Sequence, residues 1–99
     1  MIDPSDQQLL VQLRLLDSGG RLVRWPTKQP HRLLALRHLI DKFEPDLVYT
    51  EAQINAFLKQ WHTFQDWSIL RRELVDHRFL SRDPAGREYR VIKQLENNT

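Results

Sequence analysis

Two helix-start signals in this 99-residue chain predict two helices joined by a very short link, and a hairpin pattern follows the second helix. Thr50 opens a capping-box pattern, which predicts a helix over 51–61. A second helix is predicted over 64–77, with Thr63 and Asp66 in capping-box spacing or with Asp66 capping alone. Because so short a link leaves little freedom between two helices, the pair is typical of a helix-turn-helix motif.

The segment after the helix pair has the pattern of a β-hairpin. Short strand-like runs at 79–82 and 87–91 flank an Asp-Pro-Ala-Gly sequence at 83–86. Aspartate first, proline second and glycine fourth suit a type I turn with a following bulge. Two helices followed at once by a hairpin predict a mainly α fold with a small β-hairpin, of the winged helix-turn-helix type.

Upstream of the helix pair, the apolar pattern predicts two further helices and one strand. Leucines at helical spacing predict a helix over 5–17, capped by Ser5. The run 21–25 is strand-like and is closed by a proline. A largely buried helix is predicted from Pro30 to about Phe43, because its apolar face is wide.

A chain of this length is expected to form one domain. We expect 1–18 to be an extra N-terminal helix for packing or dimerisation, 19–93 to be the winged-helix domain and 94–99 to be a frayed tail. The absence of cysteine excludes disulfides and thiolate metal sites. The acidic start lacks the layout of a signal peptide, and no apolar run reaches the ~20 residues of a membrane span. A cytoplasmic protein without membrane attachment is therefore expected.

Basic residues concentrate in two segments, although the net charge is only +2. Residues 21–42 hold six basic side chains against one acidic, and residues 78–93 hold five against two. Two such segments are typical of a protein that contacts phosphates. Considered alone, the charge pattern fits an ordinary solvated surface better than it fits phosphate binding.

The second helix of the pair carries the first group of candidate DNA-binding residues. Its side opposite the apolar stripe holds Gln65, Ser68 and Arg72. Arginine pairs bidentately with guanine and glutamine with adenine, so these side chains are predicted to face the major groove. Asp76 lies beside them and weakens this interpretation, because it would face phosphate. Arg71, on the flank, either reaches a phosphate or pairs internally with a carboxylate.

A second group of candidates would contact the DNA backbone. The hairpin carries Arg82, Arg87 and Arg90, where a wing touches phosphate or the minor groove. Lys28 and Arg32 are expected to extend the same footprint. Arginines on a wing also occur in proteins that bind no DNA, so phosphate binding and plain solvation stay open as alternatives.

Patterns typical of catalysis or metal binding are absent from the sequence. It contains no His-x-x-x-His pair, no nucleophile elbow and no glycine-rich phosphate loop. We therefore expect no catalytic residues, no cofactor and no metal ion. Trp25, Trp61 and Trp67 are expected to pack in the core.

Several runs, taken together, carry a family resemblance. The most specific are Leu-Arg-Arg-Glu-Leu-Val-Asp at 70–76 and Tyr-Thr-Glu at 49–51, and the similarity extends from about Gly19 to Val91. In these runs the chain resembles an uncharacterised bacterial family, domain of unknown function 2087. The resemblance implies a small winged-helix-like domain, sometimes fused to a helix-turn-helix regulator domain, and hence a role in transcription. It implies no established activity and no agreed binding residues.

Two functions follow as expectations. The first is a transcriptional regulator or accessory factor that binds double-stranded DNA, either as a monomer or as a homodimer. The alternative is a protein–protein interaction module without direct DNA binding. Basic and acidic residues nearly balance along 64–77, which favours the alternative.

Overall fold

Four helices and three short strands make up the computed structural model, which describes residues 2–93 of the chain. In chain order they are α1 (Pro4–Gln12), α2 (Gln29–Ile40), β1 (Val48–Thr50), α3 (Glu51–Trp61), α4 (Trp67–Asp76), β2 (Leu80–Arg82) and β3 (Glu88–Val91). The predicted tail over 94–99 lies outside the described residues.

The three strands form one antiparallel sheet in the order β1-β3-β2. β2 and β3 are the two strands of the predicted hairpin, and β1 pairs with the other side of β3, where Tyr49 lies opposite Tyr89. The order after α1 is helix, strand, two helices and a hairpin, and β3 lies in the centre of the sheet. This arrangement is a mainly α, winged-helix-like fold. This confirms the predicted fold class: α2, α3 and α4 are its three helices, and α1 is an additional N-terminal helix.

β1 was not among the elements that the sequence predicted, because three residues are too few to show a periodic pattern. Tertiary contacts hold it in place. The ring of Tyr49 meets Phe43 edge-on at 5.4 Å, and its hydroxyl accepts a hydrogen bond from the Glu44 N–H at 2.8 Å. The strand therefore depends on packing against the end of α2 more than on its own residue preferences.

A core made mostly of leucines joins the helices to the sheet. Its buried hydrophobic residues are Leu10, Leu15, Leu22, Leu34, Ala35, Leu36, Leu39, Phe43, Tyr49, Ile54, Leu58, Leu70, Leu74, Phe79, Leu80 and Tyr89. Trp25, Trp61 and Trp67 are partly buried against this core, as the sequence predicted. A basic side chain lies over each of the three rings.

α1 is shorter than predicted. Its N-cap is Asp3, whose carboxylate accepts from the Ser5 N–H at 2.8 Å, so the prediction of Ser5 as the cap was wrong. Arg14, at φ 58°, lies in the left-handed region and ends the helix with the two reversed hydrogen bonds of a Schellman motif. This ending turns Leu15 into the core, where a continued helix would not place it.

The predicted strand over 21–25 was also wrong. Leu22 instead lies between the segments that follow α1 and α3, where it forms isolated β-bridges with Leu16 on one side and with His62 on the other. The Arg24 guanidinium donates to the carbonyls of Leu13 and Arg14 at the end of α1. These contacts and the packing of α1 on α2 give the N-terminal helix a packing role, while dimerisation through it stays a prediction.

The remaining helix ends differ from the predictions by a few residues. α2 begins at Gln29 and ends at Ile40, and the chain continues to Phe43 in tight turns. α4 begins after Asp66, whose carboxylate accepts from the Ile69 N–H, so the aspartate alone is the cap. α3 begins as predicted, with both hydrogen bonds of the capping box formed between Thr50 and Gln53.

Candidate nucleic-acid interface

α4 presents the polar face that the sequence predicted. Leu70 and Leu74 are fully buried beneath the helix, whereas Ser68 and Arg72 are exposed on its outer side. Gln65 is not part of α4, since it precedes the cap with φ 54° in the turn between the two helices. Two of the three predicted groove-facing residues therefore share a helix face, and the third stands at the start of that helix.

The outer face of α4 and the hairpin meet in one concavity of about 200 Å³. Its lining residues are Ser68, Arg71, Arg72, Val75, Asp76, Arg82 and Tyr89. Four predicted DNA-binding residues are thus brought together, three from α4 and Arg82 from β2. An object that enters this concavity contacts helix and hairpin at once.

Arg71 is held by a polar network inside the domain. Its Nη1 donates to Asn55 Oδ1 on α3 and lies 3.9 Å from the Glu51 carboxylate, and the side chain is 22% exposed. The Tyr89 hydroxyl donates to the same carboxylate at 3.1 Å. Burial, and then this hydrogen bond, raise the pKa of Tyr89. Of the two alternatives for Arg71, the internal carboxylate is the contact observed, and the network links α3, α4 and β3.

Two other arginines have carboxylate neighbours on the surface. Arg72 Nε lies 3.7 Å from Asp76 one turn along α4, and both side chains are more than half exposed. Arg90 lies 3.8 Å from Glu88 on β3. Exposed pairs of this kind contribute about 0–1 kcal/mol, so a competing phosphate can replace the carboxylate at little cost.

The tip of the hairpin is held by Asp83. Its Oδ1 accepts from the N–H groups of Arg87 and Glu88 at 2.6 and 2.8 Å, and hydrogen bonds from the backbone lower the pKa of this carboxyl. Gly86 has φ 71° and donates to the Asp83 carbonyl, which confirms the predicted turn. The guanidinium of Arg82 folds over Gly86, where a Cβ would stand 3.0 Å from Nη2. Arg82 and Arg87 are therefore exposed on an ordered turn.

His62 closes the turn between α3 and α4, a role that the sequence did not reveal. Its Nδ1 contacts the Leu58 carbonyl and its Nε2 accepts from the Asp66 N–H at 2.9 Å. Because an amide only donates, Nε2 carries no proton, and the proton on Nδ1 is donated to the carbonyl. The neutral ring is buried and ties the end of α3 to the cap of α4.

Lys28 and Arg32 lie at the start of α2, apart from the hairpin concavity. Arg32 Nε donates to the Pro26 carbonyl at 2.7 Å, and the guanidinium lies 5.4 Å from the centre of the Trp25 ring. The start of α2 adjoins the end of α4, where the side chains of Gln29 and His77 approach to 3.5 Å. The structure thus assigns these two basic residues to a second region, next to the far end of α4.

Neither a metal cluster nor a membrane-spanning helix occurs within residues 2–93. No three histidine or carboxylate side chains in this range are grouped to hold a metal ion. The helices of the same range are too short and too polar to cross a bilayer.

Comparison with known proteins identifies one family. The model of a family described as uncharacterised proteins conserved in bacteria, DUF2087, matches residues 21–91. The match covers most of the chain, includes every element from α2 to β3 and excludes α1. No curated protein and no solved structure matches the chain. The chain belongs to the DUF2087 family, in agreement with the resemblance found in its sequence.

Proposed function

We propose that this member of the DUF2087 family binds duplex DNA and acts as a transcriptional regulator or accessory factor in the bacterial cytoplasm. The observation that carries the proposal is the concavity shared by the outer face of α4 and the hairpin. In a winged-helix-like fold these two elements can contact one duplex together, the helix in the major groove and the hairpin on the backbone.

α4 supplies the groups for reading bases. Arg72 can donate two hydrogen bonds to guanine, and Ser68 can donate or accept. Gln65 lies in the turn just before the N-cap of α4, outside the α4–hairpin concavity, and would contact a base only beside the N-terminus of the helix. His62 holds this end of α4 against α3, so the position of the three side chains depends on the buried imidazole.

The hairpin supplies phosphate contacts. Arg82 and Arg87 are exposed on the turn that Asp83 orders, and Arg90 is exposed on β3. Contacts of this kind fix the protein on the duplex but read no sequence. Arg71, held by Asn55 and Glu51, has the role of supporting the α3–α4 pair.

Binding of random duplexes, measured by fluorescence anisotropy at two salt concentrations, tests the proposal. Binding should weaken steeply with salt, because neutralised phosphates release counterions. Arg72→Ala should reduce the difference in binding free energy between the most tightly bound duplex and the others by about 1–3 kcal/mol. Arg87→Ala should lower affinity for all sequences and reduce the salt slope by about 1. Arg37→Ala, on the exposed side of α2, is the control. If no duplex binds at low salt, the proposal is wrong.

A protein–protein interaction module is the second candidate, and the ion pairs favour it. Arg71, Arg72 and Arg90 each have a carboxylate within 4.0 Å, so three of the five arginines at this interface are paired before any partner binds. A protein surface with mixed charges would suit such a face better than a polyanion. Purification of a stoichiometric protein partner that is released by Arg72→Glu, with no nucleic acid present, would support this candidate.

A further inference from the structure

A second concavity lies between the end of α1 and the start of α2, in the region of Lys28 and Arg32. Its volume is about 320 Å³, and it is lined by Leu13, Leu15, Arg24, Trp25, Pro26, Thr27, Lys28 and His31. We propose that it binds a phosphate-bearing aromatic ring, that is, a nucleotide. This site is separate from the α4–hairpin concavity, and the proposal does not depend on DNA binding by α4.

The charge of this region is not neutralised by the domain itself. Arg24 donates to two main-chain carbonyls, and Arg32 donates to a third. Within residues 2–93, no ion pair links Arg24, Lys28 or Arg32 to a carboxylate. A carbonyl fixes a guanidinium in place without removing its net charge, so the cations stay available to an anion.

The walls of the concavity provide an apolar and aromatic surface. Leu13, Leu15 and Pro26 line it, although Leu15 and Pro26 are themselves buried, and the partly buried Trp25 also lines it. Arg32 lies over that ring and holds it in position, while Lys28 and His31 stand at the rim. An aromatic surface bordered by cations suits a ligand with a planar ring and a negative charge.

The size of the concavity narrows the choice of ligand. Small-molecule sites usually measure about 300–1,000 Å³, and this one is at the lower end of that range. Such a volume suits one base with its sugar and phosphate better than a dinucleotide. The nucleotide is either a free molecule or one unit of a nucleic-acid strand, and the experiment below separates the two sources.

The test is a titration of the full chain with AMP, followed by the indole N–H signals of its tryptophans in ¹⁵N NMR spectra. Trp25→Phe assigns the signal of interest. We expect AMP to shift the Trp25 signal in a saturable way and to leave that of Trp67 in place. Inorganic phosphate and adenosine, each lacking one half of the ligand, should bind more weakly than AMP.

Charge reversal supplies a matched control. Lys28→Glu should weaken AMP binding at least about tenfold, because it removes a hydrogen bond to a charged group and places a negative charge beside the phosphate. Lys59→Glu should change it little, because Lys59 lies over Trp67 at 4.1 Å in another concavity that also contains a histidine, His62. The two variants have the same change in net charge, so a general electrostatic effect would weaken AMP binding equally in both and would contradict the proposal.

A short DNA duplex and a single strand complete the experiment. A Trp25 shift with AMP identifies a free nucleotide, and a Trp25 shift only with a strand identifies a nucleotide of a nucleic acid. If neither AMP nor the single strand shifts the Trp25 signal, or if inorganic phosphate binds as tightly as AMP, the proposal of a nucleotide site is wrong. These results are independent of Arg72→Ala, which reports on α4 alone, so this proposal and the proposed function can fail separately.

Discussion

The two basic regions of this domain hold their arginines in different ways. On the α4–hairpin surface, Arg71, Arg72 and Arg90 each have a carboxylate of the same chain within 4.0 Å. At the start of α2, Arg24 and Arg32 donate to main-chain carbonyls instead. Both arrangements order a guanidinium, but only the first neutralises it. A count of basic residues therefore does not indicate which region attracts an anion.

This difference has consequences for binding. A phosphate that approaches α4 must displace Asp76 from Arg72, whereas one that approaches Lys28 meets no carboxylate partner. Because an exposed pair contributes only about 0–1 kcal/mol, this competition lowers the attraction of the α4 surface for a phosphate by a modest amount.

Replacement of the buried histidine should give the largest effect on stability. His62→Ala leaves the Leu58 carbonyl and the Asp66 N–H without their partner, and each is close to a helix end. We expect the free energy of unfolding to fall by about 2–3 kcal/mol, measured by urea denaturation. His31→Ala, in the α2 region, should change it little. Equal losses in the two variants would show that His62 does not hold the turn.

Removal of a guanidinium should have the second-largest effect on stability, and the effect should differ between the two basic regions. Arg71→Met keeps the aliphatic stem but leaves Asn55 and Glu51 without their cation, so we expect a loss of about 1–2 kcal/mol in urea denaturation. Arg24→Met removes contacts to exposed carbonyls and should cost about 0.5 kcal/mol. A larger loss for Arg24 than for Arg71 would reverse the assignment of the structural arginine.

These two predictions also show what the sequence could not provide. The cap of α3, the cap of α4 and the hairpin turn are held by hydrogen bonds between residues a few positions apart. Local sequence patterns are therefore enough to predict them. The Arg72–Asp76 pair likewise follows from helical spacing. The contact of Arg71 with Glu51 joins distant parts of the chain, so no local pattern reveals it.

The elements that the sequence failed to predict also depend on contacts between distant parts of the chain. β1 forms because β3 lies beside it, and the predicted strand over 21–25 is reduced to single β-bridges of Leu22 with Leu16 and His62. α1 ends early although Arg14 is not a glycine, since the burial of Leu15 favours the left-handed turn there. Local preferences thus predicted the α3 cap and the hairpin turn, and they failed where packing between distant parts of the chain sets the backbone conformation.

Acid should weaken the scaffold beneath the α2 region. His38 on α2 contacts the Gly20 carbonyl at 2.8 Å, and burial lowers its pKa below the ordinary value of 6.5. Below about pH 6.5 the imidazole of His38 therefore takes up a proton in the unfolded chain but not in the folded chain. The contribution of the buried neutral His38 to the free energy of unfolding is fully present above about pH 6.5 and is lost as the pH falls. Thermal unfolding at pH 7.5 and 5.5 should show a lower midpoint at the acid pH. The difference should shrink in His38→Gln, and an unchanged difference would exclude His38 as its source.

Removal of one surface carboxylate is the most direct test of the difference between the two basic regions. Its expected effect is the smallest of those predicted. Asp76→Asn frees Arg72 from its partner and removes a negative charge from the concavity that α4 shares with the hairpin. Because an exposed pair is worth about 0.5 kcal/mol, duplex affinity should rise about two- to threefold in anisotropy titrations. Asp17→Asn frees Arg21, which lines neither the α4–hairpin concavity nor the concavity at the start of α2, and makes the same change in net charge. If the two variants raise affinity equally, the effect comes from total charge, and the pairing of Arg72 with Asp76 does not control access to α4.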